Sequence, residues 1–194
     1  MNILFAGTPE PSAKLLQSLV HNKCVNIIGV ITKPDVAQKR GNKIKQSHVS
    51  LAASDANLPN FKPDNLNSAE FKDTLSKLDF DFLVVAAYGK ILPDWMLESP
   101  NIMPINIHYS LLPKYRGASP IQSCLLNGDK KTGITFIKMN NKLDEGDCIE
   151  KYEMRVCDDH NKVTLEEDLC NLAKKNIFTV LSNIANNNFV LTKQ

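Results

Sequence analysis

The chain has 194 residues, of which 43% are hydrophobic and 23% charged, and its formal net charge is +2. That length suits one α/β domain with a full-sized core, and the composition is that of a globular chain rather than a disordered or fibrous one. A charge so near balance does not by itself announce a nucleic-acid binder, so an RNA partner must be met by clustered basic residues. Cys24, Cys124, Cys148, Cys157 and Cys170 are odd in number and contain no Cys-x-x-Cys unit. This argues against a disulfide framework or a zinc site and for a reducing, cytoplasmic compartment. The opening residues run straight into an apolar segment, and neither a signal peptide nor a membrane helix is expected.

In chain order, Ile3 to Ala6 reads as a first strand that ends at Gly7. Pro9-Glu10-Pro11 then opens a helix with Leu15, Leu16, Leu19 and Val20 on one side, and Val25 to Ile31 is a second strand. Strand, helix, strand in this rhythm predicts a right-handed parallel unit. The fold class expected is therefore α/β, with a Rossmann-like, mostly parallel twisted sheet carrying helices on both faces. Gly7-Thr8-Pro9 is no dinucleotide or phosphate loop, because neither glycine pattern is present. Lys33 to Gln46 loses apolar periodicity and holds Lys33, Lys39, Arg40, Lys43 and Lys45 against Asp35 alone. It reads as a long polar loop, either merely solvated or able to touch phosphate. A short helix at Ser50 to Ala56 and a brief strand at Asn60 to Lys62 follow, and Asn67 with Glu70 is a candidate cap for a helix bearing Phe71, Leu75 and Leu78. Phe82 to Ala87 is a strongly apolar central strand ending in Tyr88-Gly89.

The stretch Asn106 to Gln122 holds the densest chemistry. Asn106 and His108 stand two residues apart at the end of an apolar strand, which places both on one face. Ser110-Leu111-Leu112-Pro113 is a rigid turn, and Ser119-Pro120 has the form of a helix start. A strand that ends in Asn-x-His and passes through a tight loop into a helix can hold a ligand at the carboxyl edge of a sheet. Beyond it, Pro120 to Leu126 is helical, Asn127-Gly128-Asp129 a turn, and Gly133 to Met139 and Cys148 to Val156 strands. The segment between these strands holds Asp144, Glu145 and Asp147 without the alternating ligands of a calcium loop. Thr164 with Glu167 is a candidate capping box for a long helix whose stripe includes Leu165, Leu169, Leu172, Ala173, Val180 and Leu181.

Phe5 to Glu10, Thr32 to Asp35, Arg40 to Lys43, Ala86 to Pro93, the Asn106–Gln122 stretch and Leu143 to Asp147 together resemble the folate-dependent formyltransferases. The motifs stand in family order over nearly the whole chain and are closest to those of members acting on initiator methionyl-tRNA. The resemblance implies 10-formyltetrahydrofolate as co-substrate, no metal, and a catalytic set of Asn106, His108 and Asp144. It implies that Tyr88, Gly89 and Ile91 line the pterin pocket and that Ser110, Leu111, Leu112 and Pro113 form the folate-binding turn. It also implies that Arg40, Lys43 and Lys45 lie in the loop that contacts the tRNA acceptor end. Tyr109 stands where the family more often has Gly or Pro and would narrow the pocket mouth; Glu145 replaces a small residue. Tyr115 and Arg116 could meet either the folate tail or the amine. The expected organisation is a catalytic domain over 1–189 and the start of a linker or tail over 190–194, without the smaller β-rich domain that follows in the tRNA-acting members. A monomer is expected.

Formyl transfer to an amine passes through a tetrahedral intermediate with charge on the former formyl oxygen, so the site needs an oxyanion donor and groups that move protons. Asn106 offers an amide N–H, His108 can donate to the oxyanion or shuttle a proton, and Asp144 can orient His108 or relay through water. Competing readings are formylation of an amino sugar or small amine, hydrolysis of the formyl folate, and a folate- or RNA-binding module without catalysis.

Overall fold

The computed structural model describes residues 1–37 and 44–194. The chain divides into two compact units, Met1–Pro104 and Ile105–Gln194.

The first unit is built around β1 (Asn2–Gly7). β1 lies between β2 (Asn26–Ile31) and β6 (Phe82–Ala86), parallel to both, and β5 (Asn60–Phe61) adds to the far side of β2 in parallel. Ile3, Leu4, Phe5 and Ala6 are consecutive and all fully buried. A half-solvated strand would alternate; a continuous apolar run is what a strand covered on both faces requires. The α/β reading thus holds, with parallel strands alternating with α1 (Glu10–Val20), α2 (His48–Asp55) and α3 (Ala69–Ser76). α1 buries Leu15, Leu16 and Leu19, the expected stripe, and the buried Ser12 hydroxyl donates to the Ala86 carbonyl at the end of β6 (2.7 Å). Pro11 falls in the first turn, where its missing N–H leaves no hydrogen bond unmade.

Two details of this unit depart from the sequence reading. The supposed loop Lys33 to Gln46 contains an antiparallel pair, β3 (Val36–Ala37) with β4 (Ile44–Lys45). It was hidden because a two-residue strand has no periodicity to detect. The cap of α3 is Ser68, whose hydroxyl accepts from the Phe71 N–H (3.3 Å); Asn67 instead accepts from the Trp95 indole of a short helix, α4 (Asp94–Leu97).

The second unit is antiparallel. β7 (Met103–His108), which begins just before it, pairs with β8 (Lys131–Lys138), and β8 forms a hairpin with β9 (Cys148–Arg155). α5 (Pro120–Leu126) and the 24-residue α6 (Lys162–Ala185) complete it. The buried stripe of α6 runs through Leu165, Leu169, Ala173, Ile177, Val180 and Ile184, a spacing of three and four that keeps one side turned inward. After α6, the Thr192 backbone exchanges two hydrogen bonds with Cys148 at the start of β9 (2.8 and 2.9 Å).

α6 starts earlier than a Thr164–Glu167 box would place it. Asn161 is the N-cap: its side-chain oxygen accepts from the Val163 and Thr164 N–H groups (2.8 and 3.2 Å), and the Thr164 hydroxyl accepts from the Asn161 N–H (2.9 Å). Thr164 is the third helical residue of a box whose cap precedes it. Asn161→Ala is expected to lower stability by about 1 kcal/mol, seen as a lower urea midpoint with an unchanged m-value.

Candidate active site

β7 carries Asn106 and His108 on one face, opposite Ile137 and Thr135 of β8. Asp144 arrives from the loop 139–147 that joins β8 to β9. The turn is tight: Lys138 N–H donates to the Asp147 carbonyl (2.9 Å), and Gly146 lies so close to the Lys138 carbonyl that a Cβ would collide with it. Asp144 itself adopts a left-handed conformation, φ 52°. Asp residues tolerate that region better than most, but the surroundings must hold it there.

These residues converge. Asn106 Nδ2 donates to Asp144 Oδ1 (3.2 Å), and His108 Nδ1 lies 3.6 Å from Asp144 Oδ2. The latter distance is too long for a hydrogen bond but within Coulombic reach. Both side chains are covered, at 7% exposure for His108 and 10% for Asp144. The other ring nitrogen settles the tautomer. His108 Nε2 is 2.8 Å from the Tyr115 carbonyl, which can only accept, so Nε2 carries its hydrogen. Nδ1, the nitrogen facing Asp144, is left to gain and lose the second proton.

Three supports of this arrangement were not legible beforehand. Tyr115 points its carbonyl at His108 from a left-handed conformation, φ 60°. Its phenol is anchored on the turn after α5, donating to Asp129 (2.8 Å) and accepting from Asn127 (3.0 Å). The Asp129 contact is the main reason its acidity is weakened. The side chain thus ties the Tyr115 loop to the turn on the far side of α5. Gly117 donates its N–H to Asp144 Oδ2 (2.9 Å) at φ 98°, a conformation that favours glycine, with open space where a Cβ would stand. Gln194 reaches back to the Asp144 loop, donating to the Asp144 and Gly146 carbonyls (2.8 and 2.7 Å). Gly117 was visible in the sequence only as a loop glycine, and nothing marked Gln194.

The turn Ser110–Pro113 is largely occupied with itself. Ser110 is fully buried, donates its hydroxyl to the Lys114 carbonyl, and accepts at its own carbonyl from the Thr135 hydroxyl (2.7 Å). Leu112 packs with Ile137 and Cys148, and its carbonyl receives the Lys151 ammonium. The Leu112-Pro113 bond is cis. Only Leu111 and Pro113 present side chains outward, half-buried and exposed respectively. Tyr109 is half-buried, with its side chain beside Cys170 of α6, and burial above all, together with the Cys170 thiol, raises its phenol well above the ordinary value. Ser119 stands at the N-cap of α5, but its side chain makes no cap bond.

In the first unit, Tyr88 is 1% exposed; its carbonyl accepts from the Thr8 hydroxyl (2.8 Å), and its own hydroxyl is covered without a partner among the described residues. Gly89 has φ 76°, and the Lys33 ammonium lies where a Cβ would project. Ile91 is 81% exposed and borders a groove with Leu66, Lys90 and Pro93. Lys45 is exposed on β4, while Arg40 and Lys43 lie outside the described residues.

Burial pushes the Tyr88 phenol up from 10.0 to about 12. Between those values the folded chain keeps a proton that the unfolded chain has released, so stability falls as pH rises from about 10 to about 12. Tyr88→Phe should remove that part of the slope in urea titrations at increasing pH. At neutral pH it should leave stability unchanged or higher, because the lost hydroxyl makes no hydrogen bond.

The profile of the family described as Formyl transferase matches residues 1–181. The methionyl-tRNA formyltransferase of Kosmotoga olearia is 39% identical over 194 residues, covering 100% of this chain and 62% of that protein. That of Buchnera aphidicola subsp. Baizongia pistaciae is 43% identical over 189 residues, covering 97% of this chain and 58% of that protein. The chain therefore spans about three fifths of the length of these relatives. Among solved structures, phosphoribosylglycinamide formyltransferase from Anaplasma phagocytophilum superposes with a TM-score of 0.76 at 22% identity, over 96% of this chain and 86% of that one. A sugar N-formyltransferase from Shewanella gives 0.74 at 19% identity, over 100% and 73%. These two share the fold, and the match over 1–181 together with the whole-chain relatives carries the further conclusion that the chain belongs to the formyl transferase family.

Proposed function

We propose that this chain catalyses transfer of the formyl group of 10-formyltetrahydrofolate to the amino group of initiator methionyl-tRNA, in the cytoplasm and as a monomer. The observation that carries the reading is one carboxylate, Asp144, placed between an amide donor and a histidine whose tautomer is set. The names of the relatives point to the acceptor.

The co-substrate supplies the formyl carbon as electrophile. Asn106 has two amide hydrogens; one is used on Asp144 and the second is left for a developing oxyanion. His108 holds a proton at Nδ1 when the substrate amine releases one, and the Asp144 carboxylate stabilises the resulting charge. Because Nε2–H is fixed on Tyr115, the ring exchanges its proton at one defined atom. Tyr88, Gly89 and Ile91 in the first unit, and Ser110, Leu111, Leu112 and Pro113 in the second, are the residues proposed for the folate. In the second unit the half-buried Leu111 and exposed Pro113 side chains fit contact with a flat ligand, and Ser110 and Leu112 would shape the turn from within; in the first unit the bare backbone at Gly89 fits close approach of a ligand. Arg40, Lys43 and Lys45 are proposed to meet tRNA phosphates.

Asn106→Ala and His108→Ala should each reduce turnover about 10²- to 10³-fold, the usual effect of losing one such donor, with formyl-folate affinity retained. Steady-state rates with charged tRNA, an amino sugar and water as competing acceptors test both parts; turnover near wild type in either variant ends the catalytic assignment, and preference for the sugar replaces the acceptor.

Arg40→Ala should weaken charged-tRNA binding and reduce the salt slope of its affinity by about one, leaving folate binding unchanged. Filter binding over a range of salt concentrations measures it, and an unaltered slope would return the loop to a solvated role.

A further inference from the structure

Gln194 belongs to none of the family motifs, yet its side chain makes three hydrogen bonds at the catalytic loop. Nε2 donates one hydrogen to the Asp144 carbonyl (2.8 Å) and the other to the Gly146 carbonyl (2.7 Å), while Oε1 accepts from Arg116 Nε (3.0 Å). Arg116 also lies 3.4 Å from Glu145 and directly precedes Gly117, whose N–H donates to Asp144 Oδ2. The amide therefore joins the two segments that orient the Asp144 carboxylate, namely its own loop and the Arg116–Gly117 stretch. Two residues earlier, the paired Thr192 backbone fixes where Gln194 starts.

The residue type matters. Two carbonyls need two hydrogens from one nitrogen, and Arg116 needs an acceptor beside them. Glutamine provides both within one planar group; glutamate has no hydrogen to give when ionised, and lysine has no acceptor. The strain at Asp144 gives the bonds something to hold, because a non-glycine residue in the left-handed region stays there only under external constraint.

We infer that Gln194 is a positioning residue for the formyl-transfer reaction: it holds the Asp144 loop and Arg116 together so that the Asp144 carboxylate faces Asn106 and His108. The inference rests on the formyltransferase reading above. It also gives Arg116 and Glu145 a task, bracing this clamp rather than contacting substrate.

The test uses the 194-residue chain with Gln194→Ala and Gln194→Glu, the latter keeping shape and the Arg116 contact but losing both donated hydrogens. Two quantities are read: kcat and KM for formyl transfer, and amide hydrogen exchange at Gly117, whose N–H reports where the Asp144 carboxylate sits. Both variants should lower kcat about 10- to 100-fold with the folate KM within about threefold of wild type. Gly117 exchange should rise about tenfold or more, while the Cys148 and Thr192 amides keep their protection. Wild-type kcat in Gln194→Glu, or unchanged Gly117 exchange in both variants, overturns the inference. Faster exchange at Cys148 and Thr192 equal to that at Gly117 also overturns it, since the loss is then general. If the wild-type chain transfers formyl to no acceptor, the functional reading fails, and Gly117 exchange alone still decides whether Gln194 places Asp144.

Discussion

The Asp144 carboxylate is the constraint on which the second unit depends. Its two oxygens together take the Asn106 amide and the Gly117 N–H, and Oδ2 faces His108 Nδ1. Bringing a carboxylate to a covered site is unfavourable unless its oxygens are matched by donors. The structure meets that condition with donors from two segments, the end of β7 and the loop before α5. That loop and the hairpin loop carrying Asp144 each show a local cost. Asp144 and Tyr115 are left-handed without being glycine, Gly117 is left-handed, and Gly146 has no room for a side chain. Such departures cluster where an arrangement is fixed against the local preference of the chain.

The antiparallel strands make this possible. β8 pairs with β7 along the stretch holding Asn106 and His108, and its far end turns into the Asp144 loop. The same strand sets the opposite wall: Thr135, across from His108, accepts from the Leu112 N–H and donates to the Ser110 carbonyl (3.1 and 2.7 Å). A single strand thus fixes the register of both the Asp144 loop and the rigid turn. Ser110 and Leu112 are consequently structural at the level of their side chains, with their polar groups used up within the fold. Only Leu111 and Pro113 are turned outward.

What was readable in advance divides by physical cause. Continuous apolar runs revealed β1, β2 and β6, because strands covered on both faces have little freedom in composition. The leucine spacing of α1 and α6 was equally plain, since one buried stripe per helix is a strong periodic signal. The pair Asn106 and His108 stood out as polar groups at the end of an apolar strand, and Asp144 came from resemblance rather than from any local pattern. Caps were found only to within a few residues: Ser68 rather than Asn67, Asn161 rather than Thr164. Several residues can satisfy one orphan N–H, and the backbone angle chooses among them. Contacts carried by backbone atoms, such as the Tyr115 carbonyl and Gly117 N–H, leave no signature in residue type. Gln194 was invisible because fifty positions separate it from Asp144.

The pairing of Thr192 with Cys148 has a consequence for where the chain can open. The two residues enclose all of α6, so their hydrogen bonds tie the stretch that follows the helix back to the start of β9. The Asp144 loop is held from the same stretch through Gln194. Local opening has its own free energy in each segment of a fold. Here release of the stretch after α6 would remove the Gln194 bonds from the Asp144 loop while the β8–β9 ladder stays paired. Order at Asp144 is thereby coupled to order in a stretch remote from it in sequence.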